Sequence, residues 1–223
     1  MPEPRRFVIS DIHGCAKTFR ALLQKIHLHK TDTLYLLGDY VNRGPDSKGV
    51  LDYVFKLLKA GYDVRASIGN HDELLIRAYE FPEVIDFFKK GKAGKRTLKS
   101  FDVKSADQIP AKYYEFLKTL PLYFLLDDFV LVHAGLNFSK DDPFEDIGAM
   151  MWTKNHRVVR KRIGGRRIIS GHSPKKKDAI AKSLLKDKIF IDNGCVKTKV
   201  GGMGSLCALE LNAMKLYFQD NEE

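Results

Sequence analysis

The fold class this sequence predicts is a layered α/β or α+β sandwich, and three observations carry it. Short apolar runs alternate with stretches of helical periodicity. Strands and helices interleave early and give way to strands on long connections. The runs stop at polar clusters rich in glycine, as in sheets whose ligands gather beyond the carboxyl ends of the strands.

Each element has its own warrant. Phe7-Val8-Ile9 is short and apolar and predicts the first strand. Phe19, Leu22, Leu23 and Ile26 then share one helical face, and Leu34 to Leu37 reads as a second strand. Pro45 stands near the start of a helix whose apolar face is Val50, Leu51, Val54, Leu57 and Leu58. Val64 to Ile68 predicts a third strand. Residues 80–109 differ: they hold Gly91, Gly94 and at least six cations, show little strand character, and are expected to form a helical insertion over the site or at its rim. Pro110 precedes a helix carrying Tyr113, Tyr114, Phe116 and Leu117, closed before Pro121. Phe129 to Val132, Arg167 to Ile169 and Ile189 to Ile191 complete the expected strands. No repeat, linker or low-complexity tract intervenes, so residues 1–223 read as one domain.

Composition narrows the class. With 44% hydrophobic residues in 223, the chain can bury a sizeable core, which excludes a disordered protein. Its apolar runs fall far short of the roughly 20 residues of a membrane helix. Met1 to Arg6 lacks the apolar core of a signal peptide. Three cysteines, Cys15, Cys195 and Cys207, make no disulfide framework and suit a reducing compartment. A cytoplasmic protein without membrane partners is the expectation.

Lys plus Arg is 38 and Asp plus Glu is 28, a net charge of +10. Ten of those cations lie between Lys154 and Lys177, a segment without a carboxylate, so the remainder is near neutral. Lys89 to Lys104, offset only by Asp102, is a second basic block. Such blocks favour phosphate esters, nucleic acid or acidic proteins. Nucleic acid is the weakest of these, because the basic segment lacks the interleaved aromatics of a single-strand platform.

The chemistry sits where the apolar runs stop. The clusters are Ser10-Asp11-Ile12-His13-Gly14, Gly38-Asp39-Tyr40-Val41-Asn42-Arg43-Gly44, Gly69-Asn70-His71-Asp72, His133-Ala134-Gly135 and Gly171-His172-Ser173. Their residue types suit a pair of divalent metals. Alternate residues of an extended segment point the same way, so Asp11 and His13 can grip one ion. Asp39 has lone pairs enough to bridge two. Asn70, His133 and His172 can complete a second site, and imidazole with carboxylate suits Mn, Fe, Zn or Ni. Any one cluster alone would be weak; their joint order is not.

These motifs resemble the calcineurin-like metallophosphoesterases, specifically the phosphoprotein-phosphatase family and its bacterial members, from Phe7 to about Leu211. The resemblance implies an α+β fold, a β-sandwich flanked by helices with a dinuclear metal centre at the strand carboxyl ends, manganese foremost. It places Asp11, His13 and Asp39 on the first metal and Asp39, Asn70, His133 and His172 on the second. It makes His71 the general acid and Arg43 a phosphate clamp. A hydroxide bridging the metals attacks phosphorus in line while His71 protonates the leaving oxygen, with no covalent phospho-enzyme.

Three positions depart from the protein-phosphatase pattern. Asn42 stands where those enzymes carry the Asp that pairs with the acid histidine, Ile68 where they carry Arg, and Asp72 where they carry Glu. Asn42 with Arg43-Gly44-Pro45 looks more like the symmetrical diadenosine tetraphosphate hydrolases of the same superfamily. Lys154, behind Trp152, or Arg157 could supply the missing clamp. The leading expectation is a phosphomonoesterase acting on phosphoserine or phosphothreonine, with the nucleotide hydrolase as its alternative; the partner is a phosphorylated protein or a nucleotide. Among the remaining residues, Trp152 is expected to wall the site, Asp192 to fix a loop, and His27 and His29 to face solvent, while His156 lies in the basic segment.

Overall fold

The computed structural model describes residues 4–154, 157–197 and 201–223. In chain order the elements are β1 (Arg6–Ile9), α1 (Ala16–Lys25), β2 (Thr33–Leu37), α2 (Ser47–Lys59), β3 (Asp63–Ser67), α3 (Asn70–Glu80), α4 (Pro82–Lys90), α5 (Lys92–Ser100) and α6 (Ala111–Lys118). There follow β4 (Tyr123–Leu125), β5 (Phe129–Val132), α7 (Ile147–Trp152), β6 (Arg167–Ser170), α8 (Lys177–Ser183), β7 (Lys188–Phe190), β8 (Ser205–Glu210) and β9 (Lys215–Asp220). Two mixed sheets result, one in the order β3-β2-β1-β8-β9 and one in the order β4-β5-β6-β7. β1, β2 and β3 run parallel, as do β5, β6 and β7, while β8, β9 and β4 pair antiparallel.

Burial on both faces explains why the strands read as unbroken apolar runs. Val8, Tyr35 and Leu37 point between the sheets and meet Phe129, Leu131, Ile169, Ile189, Cys207 and Leu209. Their neighbours Phe7, Ile9, Leu34 and Leu36 point the other way, into a core shared with Phe19, Leu22, Val50, Leu51 and Val54 of α1 and α2. Val130, Val132 and Ile168 cover the second sheet's outer face with Met150 of α7. The period of two along each strand thus builds two packed layers from every run.

Three strands, β4, β8 and β9, go beyond the sequence expectation. In β8 all six residues are buried, Glu210 included, so no alternation marks it. β9 reads Lys-Leu-Tyr-Phe-Gln-Asp, its middle only partly buried at the sheet edge. Residues 82–100 form α4 and α5, two helices that meet at Gly91. Among the described residues no helix is long and apolar enough to cross a membrane.

Parallel pairing brings the carboxyl ends of β1, β2 and β3 to one edge, and those of β5 and β6 to the facing edge. The loops that leave them meet closely. A Cβ on Gly38 would lie 2.2 Å from the Gly69 nitrogen, and one on Gly69 would lie 2.4 Å from Asp39 Oδ1. Only glycine lets the second and third strand ends touch.

Candidate metal centre and cleft

The backbone is bent to form this edge. Asp11, His13, Asp39, Asn42, Arg43 and His172 all adopt positive φ, between 48° and 69°. They are six of the nine such non-glycine residues among those described. Left-handed backbone costs a residue with a Cβ about 1 kcal/mol or more, and it persists where surrounding structure enforces it.

The imidazoles are held by the main chain. His13 Nδ1 lies 3.0 Å from the Val41 carbonyl and His133 Nδ1 lies 2.8 Å from the Leu37 carbonyl. Each therefore donates its N–H to a carbonyl and leaves Nε2 bare, the usual backing for a metal-ligating histidine. Both bare nitrogens face Asp39 Oδ2, at 3.3 Å and 3.6 Å. Asn70 Oδ1 lies 2.9 Å from His133 Nε2 and 3.0 Å from His172 Nδ1. Asp11 Oδ2 accepts the backbone N–H of His172 at 2.9 Å and the Ser10 hydroxyl. His71 donates its backbone N–H to Asp39 Oδ1 at 2.9 Å. All six expected ligands thus converge, and two groups of three, His13-Asp39-His71 and Asp11-Asp39-His133, share Asp39.

Asp39 Oδ2, the bare Nε2 atoms of His13 and His133 and Asn70 Oδ1 face one another as acceptors, and that is the case for cations here. Burial, then the neighbouring Asp11 charge, pushes the Asp39 carboxyl well above its usual range. Burial lowers the His13 imidazole, helped by the charges of His71 and Arg43. Burial and Asp11 likewise raise Asp192, which is 3% exposed and accepts the Gly194 N–H at 2.7 Å, fixing that loop. Buried carboxylates facing bare imidazole nitrogens are costly until a positive charge enters, so the residues fit a pair of divalent ions.

Asn42 and His71 form the second part of the site. Thr97, on α5, donates its hydroxyl to Asn42 Oδ1 at 2.7 Å and accepts the Asn42 backbone N–H at 3.0 Å. Ser47 Oγ lies 3.1 Å from Thr97 Oγ1. With Oδ1 so engaged, the amide's Nδ2 faces His71 Nδ1 at 3.2 Å. Arg43 Nη2 approaches the other ring nitrogen at 3.0 Å. A neutral imidazole has one bare nitrogen, so it cannot accept from both donors. Burial, then the Arg43 charge, pushes the His71 imidazole down to about 3. Among the described residues no carboxylate hydrogen-bonds either ring nitrogen. Asp72 does not take that part: it is buried and accepts the backbone N–H groups of Asp39, Tyr40 and Gly69 at 2.6, 2.9 and 3.0 Å.

A cleft of about 470 Å³ opens over these groups, lined by Arg43, His71, Trp152, Lys154, His172 and Lys197 among others. Trp152 is 52% exposed, with its ring centroid 6.2 Å from that of His172. Lys154 is at the cleft; Arg157 is exposed and is not among the described residues that line it. His156 lies outside the described residues. Sequence reasoning missed Thr97 and Lys197. Nothing in a lone Thr among lysines marks the first, and the second sits in a loop with no motif of its own.

The calcineurin-like phosphoesterase family model matches residues 4–188. A symmetrical bis(5'-nucleosyl)-tetraphosphatase of Pectobacterium carotovorum is 34% identical over 140 residues, 61% of this chain and 45% of the relative. Its counterpart in Photorhabdus laumondii is 50% identical over 74 residues, 33% of this chain and 26% of the relative. The chain thus spans from about a quarter to under half the length of these curated relatives. The crystal structure of a candidate diadenosine tetraphosphatase superposes with a TM-score of 0.65 at 21% identity, covering 99% of this chain and 96% of that one. A protein serine/threonine phosphatase of Saccharomyces cerevisiae gives 0.62 at 18% identity, covering 100% and 82%. These two likenesses are of fold. With most of its length matched and its histidines and carboxylates gathered at one sheet edge, this chain belongs to the calcineurin-like phosphoesterase family.

Proposed function

We propose that this protein hydrolyses dinucleoside polyphosphates, diadenosine tetraphosphate first among them, at the central phosphoanhydride. Water adds across that bond and each half departs as ADP. Asp11, His13, Asp39, Asn70, His133 and His172 would hold two divalent ions, manganese foremost. When bound, such ions neutralise phosphate oxygens and make water acidic enough to serve as a nucleophile near neutral pH.

The observation that carries the choice of substrate is the surroundings of His71. A serine or threonine alkoxide needs a proton as it leaves, and a histidine supplies one well only when a neighbour keeps it protonated near the working pH. Here Asn42 offers an amide N–H to the ring where a carboxylate would accept one, and burial holds the imidazole neutral. A departing nucleoside diphosphate is stable as an anion and needs no such donor. The same ring can then orient rather than protonate. A phosphate oxygen between Arg43 and His71 Nε2 would accept from both, relieving the contest of two donors over one ring. The named activity of the relatives supports this reading over the phosphomonoesterase that the sequence put first.

Product analysis tests it. Incubation of diadenosine tetraphosphate with the manganese-loaded protein should yield ADP alone, and excess chelator should abolish the reaction. ATP plus AMP as products, or turnover indifferent to chelator, would contradict it.

A further inference from the structure

A second cavity lies beside the cleft. It encloses about 500 Å³ and is lined by Gly44, Pro45, Arg96, Lys99, Ser100 and Val196, among others. That volume falls within the roughly 300–1,000 Å³ of small-molecule sites. The two spaces share two chain segments. Arg43 lines the cleft and the next two residues line the cavity; Lys197 lines the cleft and Val196 the cavity.

Two cations of α5, Arg96 and Lys99, line this cavity. α5 carries Lys92, Lys95, Arg96 and Lys99 and no carboxylate. None of the four makes an ion pair among the described residues, whereas Lys48, Arg65, Lys118 and Lys177 elsewhere do. Arg96 donates Nη1 to the Arg43 carbonyl at 2.5 Å, which ties this helix to the phosphate-facing turn. One carboxylate, Glu223, also lines the space, and it is turned to the Thr18 N–H and hydroxyl at 3.0 and 3.3 Å. Arg96 and Lys99 in the lining of a cavity that also borders the turn after Arg43 suit an anion that continues out of the cleft.

We infer that this cavity is a distal subsite: α5 binds the far phosphates of a two-ended nucleoside polyphosphate, and the cavity takes the nucleoside beyond them. The inference rests on the proposed nucleotide reading and adds to it that the protein measures both ends of its substrate. A one-ended polyphosphate fills the cleft and leaves the cavity unused.

The experiment compares kcat/KM for diadenosine tetraphosphate with that for adenosine 5'-tetraphosphate, in the manganese-loaded wild type and in Lys99→Ala, Lys99→Glu and Lys99→Arg. An acidic phosphopeptide serves as a further substrate. Lys99 is exposed on α5, and thermal melts confirm that the variants fold. The wild type should favour the two-ended substrate. Lys99→Ala should cut that preference about tenfold, the scale of one charge-assisted contact. Lys99→Glu should abolish it, and Lys99→Arg should keep it. A wild type that hydrolyses the phosphopeptide and neither nucleotide overturns the functional reading and the subsite with it. A wild type that favours the two-ended substrate, with Lys99→Glu retaining that preference, overturns the subsite alone. The same holds if Lys99→Glu loses rate equally on both nucleotides.

Discussion

In the proposed function, substrate choice turns on Asn42. Its type was legible in the sequence, because an amide in a Gly-Asp-x-x-Asn-Arg-Gly run stands out where an acid is expected. Which end of the amide faces His71 was not, since that is fixed by the hydroxyl of Thr97, distant by 55 residues. Asn42→Asp replaces the donor with an acceptor for a ring N–H. A carboxylate stabilises imidazolium and raises the histidine pKa, so the protonated acid survives to higher pH. The basic limb of the rate profile should move upward, and phosphopeptide hydrolysis should gain at least several-fold relative to diadenosine tetraphosphate. The φ of 69° at this position is one that Asp tolerates nearly as well as Asn, so the fold should persist. Equal changes on both substrates would show that position 42 is not coupled to the leaving group.

A second residue-scale expectation concerns acid stability away from the site. Asp32 is 3% exposed, and its carboxylate accepts from the Arg5 guanidinium at 2.7 Å and from the backbone N–H groups of His29 and Arg5 at 2.8 and 3.1 Å. Burial raises its pKa, but these partners outweigh burial and hold the group below its ordinary value. A depressed carboxylate contributes stability that is full above its unfolded pKa, about 4, and fades as pH falls through the folded one. Asp32→Asn should therefore lower unfolding free energy by about 1–3 kcal/mol at pH 7 and by much less near pH 2. Urea melts across that range read the difference, and a gap constant with pH would deny the ion pair its part.

Among the elements, α5 does what its sequence does not advertise. The basic composition of residues 80–109 pointed to a helical segment near the rim, and the structure brings Thr97 of that segment into the site. Period and charge locate a helix, but a single buried hydroxyl carries no pattern. Thr97 is fully buried, so Thr97→Val takes the hydroxyl donor from the Asn42 side-chain Oδ1, while the Asn42 backbone N–H keeps Ser47 Oγ at 3.1 Å. Stability should drop by about 1–3 kcal/mol, the scale of an unsatisfied buried polar group. KM should rise as His71 and Arg43 lose their brace, and Thr97→Ser should restore both. Full activity in Thr97→Val would leave α5 without a positioning role. The strands missed at this scale have a common cause. β4, β8 and β9 contain neither Val nor Ile, the β-branched residues that mark most of the strands read from the sequence, and β4 and β9 are only partly buried at sheet edges.

At the scale of the molecule, two sheets packed face to face bring five strand ends to one edge, and the glycines that follow β2 and β3 let those ends touch. The strand-end clusters were readable because each carries its own spacing. Their convergence needed the fold, since Asp11 and His172 are 161 residues apart along the chain yet bonded. In the proposed reading, the cations that line the cleft and its neighbouring cavity, Arg43, Lys154, Lys197, Arg96 and Lys99, set the sign of what enters. In the proposed function, this edge cleaves a phosphoanhydride between two nucleosides in preference to a phosphomonoester. It is tested most directly by kcat/KM for diadenosine tetraphosphate and for a panel of phosphoserine and phosphothreonine peptides, measured on one manganese-loaded preparation. A value at least about a hundredfold higher for the dinucleotide, some 2.7 kcal/mol in transition-state stabilisation, is the expected result. A phosphopeptide that matches or exceeds it would contradict the claim and return the site to phosphoprotein chemistry.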